Sequence, residues 1–573
     1  MNSFRVLVLL TAFLFSGPGQ ARLVEPPKLQ ESCQHAGEGL GDDETKVWMA
    51  VCKTGYADSE QLHVSEISGK FLKAILSEDI YTKNLPSRGL TFKGFVVAGH
   101  ANLSYAHIPS KVEFLKMTFQ DELSFANSSV DGPLIFEDTQ FSIPANFNGS
   151  HIKGDVLFDN IVGSLSAINA IVDGQFLIIN SLSKTDNVIN LTGGHFNRLF
   201  MSNVSFKTIF LSETRVDNNV ALRDAAVKLY LDMRFAKIEG NLLLVRSGDN
   251  TKMLADSMHV KGWFLLEKSP LQTLVAPRLQ VDGIFYLNVY GFGSSSIGND
   301  SDEWDGGCPT STQWKGDTIL ERTTSSIDLR DAHIGTIASP ISLASWPTFL
   351  YINGLTYDVI EPYTFEPLDP NADDNSGELA LMSFPTDWYR CWLKRSRARF
   401  THRFEAQPYR QMVTYLKSHG EETAAAAISI EGKNGERRQA CQDGPGFWVY
   451  CAYLVLSWLL VGYGYRMYLP ICFSIALCLV GRFVIRNAKI TYKSQKLGGG
   501  PALRQVRRKS KHKQNPLGLA YSFDMLIPLV KLQGEHYTDV EVHGAAKYYF
   551  YFHKVAGWVL SFYILAAFAE LSK

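Results

Sequence analysis

A glycine that returns every 20 to 22 residues constrains this chain more than any other feature. It sits in a fixed phrase, β-branched–x–Gly–x–apolar, read as Val130-Asp131-Gly132-Pro133-Leu134, Ile152-Lys153-Gly154-Asp155-Val156 and Val172-Asp173-Gly174-Gln175-Phe176. The phrase returns as Ile238-Glu239-Gly240-Asn241-Leu242, Val260-Lys261-Gly262-Trp263-Phe264 and Val281-Asp282-Gly283-Ile284-Phe285. The glycines step by 22, 20, 66, 22 and 21 residues, so three coils fill the long step. Leu191-Thr192-Gly193 and Val216-Asp217-Asn218 are its degenerate copies. Half-period echoes such as Phe119-Gln120-Asp121, Ile161-Val162-Gly163 and Val227-Lys228-Leu229 lie about 11 residues away.

A fixed period of this size specifies a stacked array, because no single coil can bury its own apolar face. Short apolar strands with Gly or Asn/Asp at the corners favour β structure, since those corners need permissive backbone angles. A leucine-rich horseshoe would carry an Asn ladder and a helical half-repeat, and neither is present. The expected fold is mainly β: a right-handed parallel β-helix over residues 71–360, interrupted by a Gly/Ser/Asp-rich loop insertion at 291–325. Residues 361–385 read as an acidic, proline-bearing linker.

The N-terminus has one basic residue, Arg5, an apolar run from Val6 to Phe15, and small residues ending at Ala21. This is the pattern of a secretory signal over residues 1–21, with Gly19 and Ala21 suited to the cleavage site. Residues 22–70 then form an N-terminal cap. In an exported chain Cys33 and Cys52 are expected to pair, closing a loop worth roughly 3 kcal/mol by chain-entropy arithmetic. Cys451, Cys472 and Cys478 fall in hydrophobic segments and read as small apolar residues. Cys308, Cys391 and Cys441 show no metal-ligand spacing.

Past the linker the chemistry changes. Residues 386–446 read as a basic helical hairpin region. Trp388 to Phe404 mixes Arg and Lys with aromatics as a membrane-surface helix does, and two short helices meet at Gly420. Residues 447–485 form a hydrophobic hairpin, or an interfacial helix followed by one span. Residues 486–547 form a basic loop, and 548–569 a C-terminal transmembrane helix. The basic loop belongs in the cytoplasm by the positive-inside rule, whereas a two-span hairpin after an exported solenoid would leave it outside. Placing Phe447 to Tyr465 at the interface removes the conflict.

Several C-terminal motifs carry a resemblance. They are Asp328-Leu329-Arg330-Asp331-Ala332, Trp346-Pro347 with Gly354 and Tyr357, Gln407-Pro408-Tyr409, and His419-Gly420-Glu421. Gly462-Tyr463-Gly464-Tyr465-Arg466 and Tyr521-Ser522-Phe523-Asp524, with Leu526, Pro528 and Leu532, complete the set. Over about residues 70–573 the chain resembles bacterial membrane-associated proteins with pentapeptide-like repeats, a family that often bears the name membrane-associated oxidoreductase. The chain departs from it at Ala424 to Ala427 and at Glu431-Gly432, which replace a more basic segment. The family supplies no catalytic residue to carry over.

An oxidoreductase would need a cofactor site, yet the chain has no GxGxxG after a strand, no CxxC, and no cluster of metal-spaced histidines. No cofactor, catalytic or metal site is therefore assigned. Asp217, Asp224 and Asp232 lie in neighbouring half-coils but are also ordinary corner residues. His536, Asp539, Glu541 and His543 fit a polar loop before a span. Gly462 to Arg466 is expected to mark a membrane boundary, with Gly462 and Gly464 available for close helix approach. A formal net charge of −1 gives no general attraction for nucleic acid. The expected function is a non-enzymatic binding or scaffold module of the cell envelope, partnered by membrane lipid and an envelope protein or glycan. The alternative is a membrane-bound enzyme acting on glycans or another envelope substrate along the β-helix face.

Overall fold

The computed structural model describes residues 33–34, 39–182, 186–248, 251–269, 271–288, 326–339, 346–347, 349–362, 384–396, 403–466, 468–492, 518–527 and 540–571. The signal segment, the whole 291–325 insertion and most of the 361–385 linker lie outside them. The chain divides into two compact units, the solenoid and a second consisting mostly of Phe384–Lys573.

The first unit is a parallel β-solenoid of about 10 turns. Identical positions stack coil on coil: Leu134 pairs with Val112 on one side and Val156 on the other, and Phe136 with Phe114 and Phe158. The inward positions are apolar and closed to water, and phenylalanine dominates the early coils. Phe92, Phe114, Phe136 and Phe158 stack with ring centroids 5.9, 5.0 and 5.1 Å apart. Phe125–Phe147 and Phe119–Phe141 build parallel stacks from other sides of the coil, at 5.2 and 5.6 Å. Each coil thus buries its face only against its neighbours.

The array starts earlier than expected. Tyr56–Asp58 already pairs with Leu90–Lys93, and Phe71 lies in a helix, Gly69–Ser77, rather than in a strand. A helix α1, Asp42–Thr54, precedes it and buries Val47, Trp48, Val51 and Cys52. Cys52 is disulfide-bonded to Cys33, with Cα atoms 6.0 Å apart. After the insertion the register resumes, with Val281 opposite Ile334 and Ile334 opposite Tyr357.

The repeat glycines have a different cause from the one the sequence implied. Gly154, Gly174, Gly240, Gly262 and Gly283 do not adopt left-handed angles. A Cβ on each would meet the coil before it: 2.4 Å from the Pro133 nitrogen at Gly154, and 2.6 Å from the Gly262 oxygen at Gly283. Left-handed residues form separate columns spaced by 11: Tyr105, Lys116, Asn127, Asp138, Gly149 and Asn160. This spacing is the half-period. Gly193 belongs to such a turn column, stacked on Asn169, and not to the glycine ladder with which its sequence aligned it.

Asp58 is buried where the array begins. Its carboxylate accepts from Lys93 Nζ (2.8 Å), Tyr56 Oη (2.9 Å) and the Glu60 amide (3.0 Å). The Lys93 hydrogen bond, with help from the other two, holds this carboxyl below its ordinary 3.8 despite burial. A depressed folded-state value stabilises the fold above the ordinary pKa, and that contribution is lost as pH falls through the folded value. Asp58→Asn is therefore expected to be less stable than wild type at neutral pH, with the gap closing in acid. Thermal melts of both proteins across pH 2 to 7 check this, and a pH-independent gap would refute it.

The second unit is helical. Helix α2, Thr386–Lys394, buries Trp388, Tyr389, Trp392 and Leu393, with Phe384 stacked on Trp388 at 3.8 Å. The aromatics expected at a membrane surface are therefore core, because helical spacing puts them on one face. Helices α3, Gln407–Ser418, and α4, Glu422–Gln442, meet at Gly420 (φ 77°), and α4 is a long helix of 21 residues. Next come α5, Trp448–Val461, α6, Tyr468–Asn487, a short α7, Leu519–Leu526, and α8, Ala545–Leu571. Strands Lys489–Tyr492 and Val540–His543 pair antiparallel, joining the end of α6 to the start of α8. Among the described residues one helix, α6, is long and apolar enough to cross a membrane.

Candidate functional site

Two exposed features of the solenoid gather polar chemistry. The first is an edge row of histidines, each meeting an acid from the next coil: His107–Asp131 (3.3 Å), His151–Asp173 (3.0 Å), His195–Asp217 (2.8 Å) and His259–Asp282 (2.9 Å). Lys153 also reaches Asp131 at 2.8 Å and holds that carboxyl below the usual range. The sequence contained this row. Histidine stands just before the β-branched residue in several coils, and the acid is the first x of the phrase. Imidazoles and carboxylates alternate along it, and exposed pairs of this kind contribute little to stability.

The second feature is an open groove of about 360 Å³ near the start of the array, lined by three successive coils. His100 and Asn102 come from one coil, Glu122 and Ser124 from the next, and Asn146 from the third, in register through Ala101–Leu123 and Ser124–Asn146. Ser104 and Ser124 hydroxyls meet at 3.0 Å, and the Asn146 amide leans on Glu122 at 3.4 Å. Tyr105 stands at the rim, 80% exposed. The lining contains amides, hydroxyls, one imidazole and one carboxylate, and no Lys or Arg.

The other residues singled out in the sequence are dispersed. Asp217 belongs to the edge row, Asp224 pairs with Arg246 at 2.7 Å, and buried Asp232 pairs with Arg234 at 2.7 Å, so each answers a different cation. Glu541 and His543 lie on one strand, with His543 against Thr491 at 2.7 Å, while His536 and Asp539 lie outside the described residues. Among the described residues no three His, Cys, Asp or Glu gather as a metal site. Asp328 and Arg330 form a bidentate pair (2.8 and 2.9 Å) in the last turns.

In the second unit Gln407 opens α3 beside Pro408 and accepts a hydrogen bond from the Gly354 amide at 2.8 Å. Tyr409 is buried, with Gly432 placed so that a Cβ would lie 3.1 Å from the Tyr409 Cβ and 3.3 Å from its ring. Gly462, Tyr463 and Gly464 have φ of 54°, 58° and 92° and break the chain between α5 and α6. A Cβ at Gly462 would strike its own Arg466, so these glycines make a turn rather than a helix contact. Close helix approach is found instead at Gly481 and Gly557, which leave space for Ser522 and Leu526 of α7. Tyr521, Ser522 and Asp524 are buried there, and His553 Nε2 lies 3.0 Å from the Ser522 carbonyl oxygen.

Cys441 and Cys451 are disulfide-bonded, and Cys391 is also in a disulfide. This corrects the reading of Cys451 as a small apolar residue: it lies one turn into α5, close enough to the end of α4 to reach Cys441. Cys472 and Cys478 are free.

No family model, curated protein or solved structure matches this chain.

Proposed function

We propose that this protein is an exported, membrane-anchored right-handed β-helix of the bacterial cell envelope, related to the membrane-associated proteins with pentapeptide-like repeats, whose solenoid binds an envelope partner. The observation that carries this reading is the placement of disulfides before and after the solenoid, at Cys33–Cys52 and Cys441–Cys451. Disulfides persist in oxidising compartments, so both ends of the β-helix face outside. Right-handedness follows from the crossover rule for parallel strands.

The same bonds support a topology. Cys451 holds the start of α5 on the outer side, and 14 helical residues span only about 21 Å of a roughly 30 Å core. α5 therefore lies in the interface, where its exposed Trp448, Tyr450, Tyr453 and Trp458 are at home. α6 then crosses inward, delivering Arg486 and the basic 486–513 segment to the cytoplasm. The return crossing is assigned to α8, whose 27 residues exceed the roughly 20 a span needs, although among the described residues α6 alone is both long and apolar enough to cross. The positive-inside rule is satisfied without moving the solenoid. A binding role draws support from the groove at Tyr105. The enzymatic alternative on glycans asks for paired carboxylates, and Glu122 is the one carboxylate of that groove.

The test is protease treatment of intact spheroplasts combined with alkylation before and after reduction. Cleavage of the solenoid is expected, with Cys33, Cys52, Cys441 and Cys451 alkylated only after reduction. A cysteine placed at Lys509 should react with an impermeant maleimide only once the membrane is opened. A protected solenoid with freely reactive thiols would overturn the reading.

A further inference from the structure

We propose that the groove beside Tyr105 is a binding site for a neutral glycan, with the tyrosine ring as the stacking platform. The inference deepens the reading of the solenoid as a binding module and rests on it.

Tyr105 occupies a left-handed corner (φ 61°), where the next four coils use Asn127, Gly149, Asn169 and Gly193 and later coils use Glu213, Phe235, Ser257 and Arg278. Asn and Gly tolerate this conformation, whereas an aromatic residue gains nothing from it. Its ring is not buried either, being 80% exposed. Phe235 occupies the same column half-exposed, so the corner alone assigns no role; what sets Tyr105 apart is the polar groove it borders. The Tyr105 amide is fixed to the Ala126 carbonyl at 2.9 Å, so the backbone holds the residue at the groove edge.

The lining specifies the ligand class. A pyranose offers a C–H face for a ring and hydroxyls for planar polar groups. Asn102, Asn127, Asn146, Glu122 and His100 supply such groups along three coils, and His100 and Asn127 side chains have no hydrogen-bond partner among the described residues. The absence of Lys and Arg from the lining leaves nothing to attract phosphate, sulfate or uronate. The groove volume falls within the range of small-molecule sites, and its open side leaves room for a chain to continue.

The test uses the full-length protein in nanodiscs, made without glycosidic detergents. Titration calorimetry is run with chitohexaose, cellohexaose and maltohexaose as neutral probes, and with polygalacturonate as an anionic one. Saturable binding of at least one neutral probe is expected. Tyr105→Asn should weaken it about tenfold, the loss of one stacking contact. That variant installs the residue of the neighbouring coil and so preserves the turn, which an unchanged melting temperature confirms. Phe235→Asn makes the same change in the same column six coils away and should leave affinity unaltered. No saturable neutral binding, wild-type affinity in Tyr105→Asn, or preference for polygalacturonate would each overturn the proposal. The titration needs no cell, so its failure is separable from failure of the export test.

Discussion

Replacing Phe136 with alanine is expected to destabilise the solenoid by about 3–5 kcal/mol, the range for deleting a buried aromatic ring. Phe136 is fully buried and its ring meets four others: Phe114 at 5.0 Å, Phe158 at 5.1 Å, Phe141 at 5.6 Å and Phe147 at 5.9 Å. It therefore ties three phenylalanine stacks together, and the cavity left behind cannot close without moving all of them. Because a solenoid is nearly one-dimensional, the damage should be local. Amide exchange should accelerate across residues 90–180 while the coils from His259 to Pro362 keep their protection. A loss below about 1 kcal/mol, or uniform acceleration along the array, would contradict the ladder as the source of stability.

Gly154→Ala should do comparable harm by adding one methyl group. The new Cβ would lie 2.4 Å from the Pro133 nitrogen and 2.6 Å from the Gly132 carbonyl carbon. Both are backbone atoms of the preceding coil, so no side-chain rotation relieves the overlap, and two coils must separate. Destabilisation of about 3 kcal/mol is expected, the upper end for overpacking. Gly41→Ala is the comparison: no atom lies within 4 Å of its added Cβ and its φ is −66°. It should change stability by less than about 1 kcal/mol, its N-cap position included. Chemical denaturation of the three proteins, followed by far-ultraviolet circular dichroism, measures both differences. Equal stability of Gly154→Ala and wild type would show that close stacking is not why glycine stands there.

The glycine ladder also shows what kind of information a repeat carries. Its period revealed the stacked array and which residues face inward, because apolar alternation and coil length are properties of the chain itself. Its reason was hidden. Glycine is written identically whether it relieves a backbone angle or a missing Cβ admits a neighbouring coil, and Gly193 and Gly154 are one of each. The His–Asp row was likewise present in the letters, at Asp131, Asp173 and Asp282, but becomes a row only when coils stack in register. The groove was less legible still, since Asn102, Glu122 and Asn146 are about two coils apart in total and share no motif.

The sequence by itself therefore determined the β-solenoid class, its coil length and its apolar interior, all consequences of local periodicity. Only the tertiary structure decided that Cys451 bonds Cys441, that Gly462 and Gly464 break the chain while Gly481 and Gly557 admit α7, and that Tyr105 overlooks a polar groove. Each of these is set by a distance between residues from different turns or helices, and no pattern along the chain encodes such a distance until packing brings the residues together.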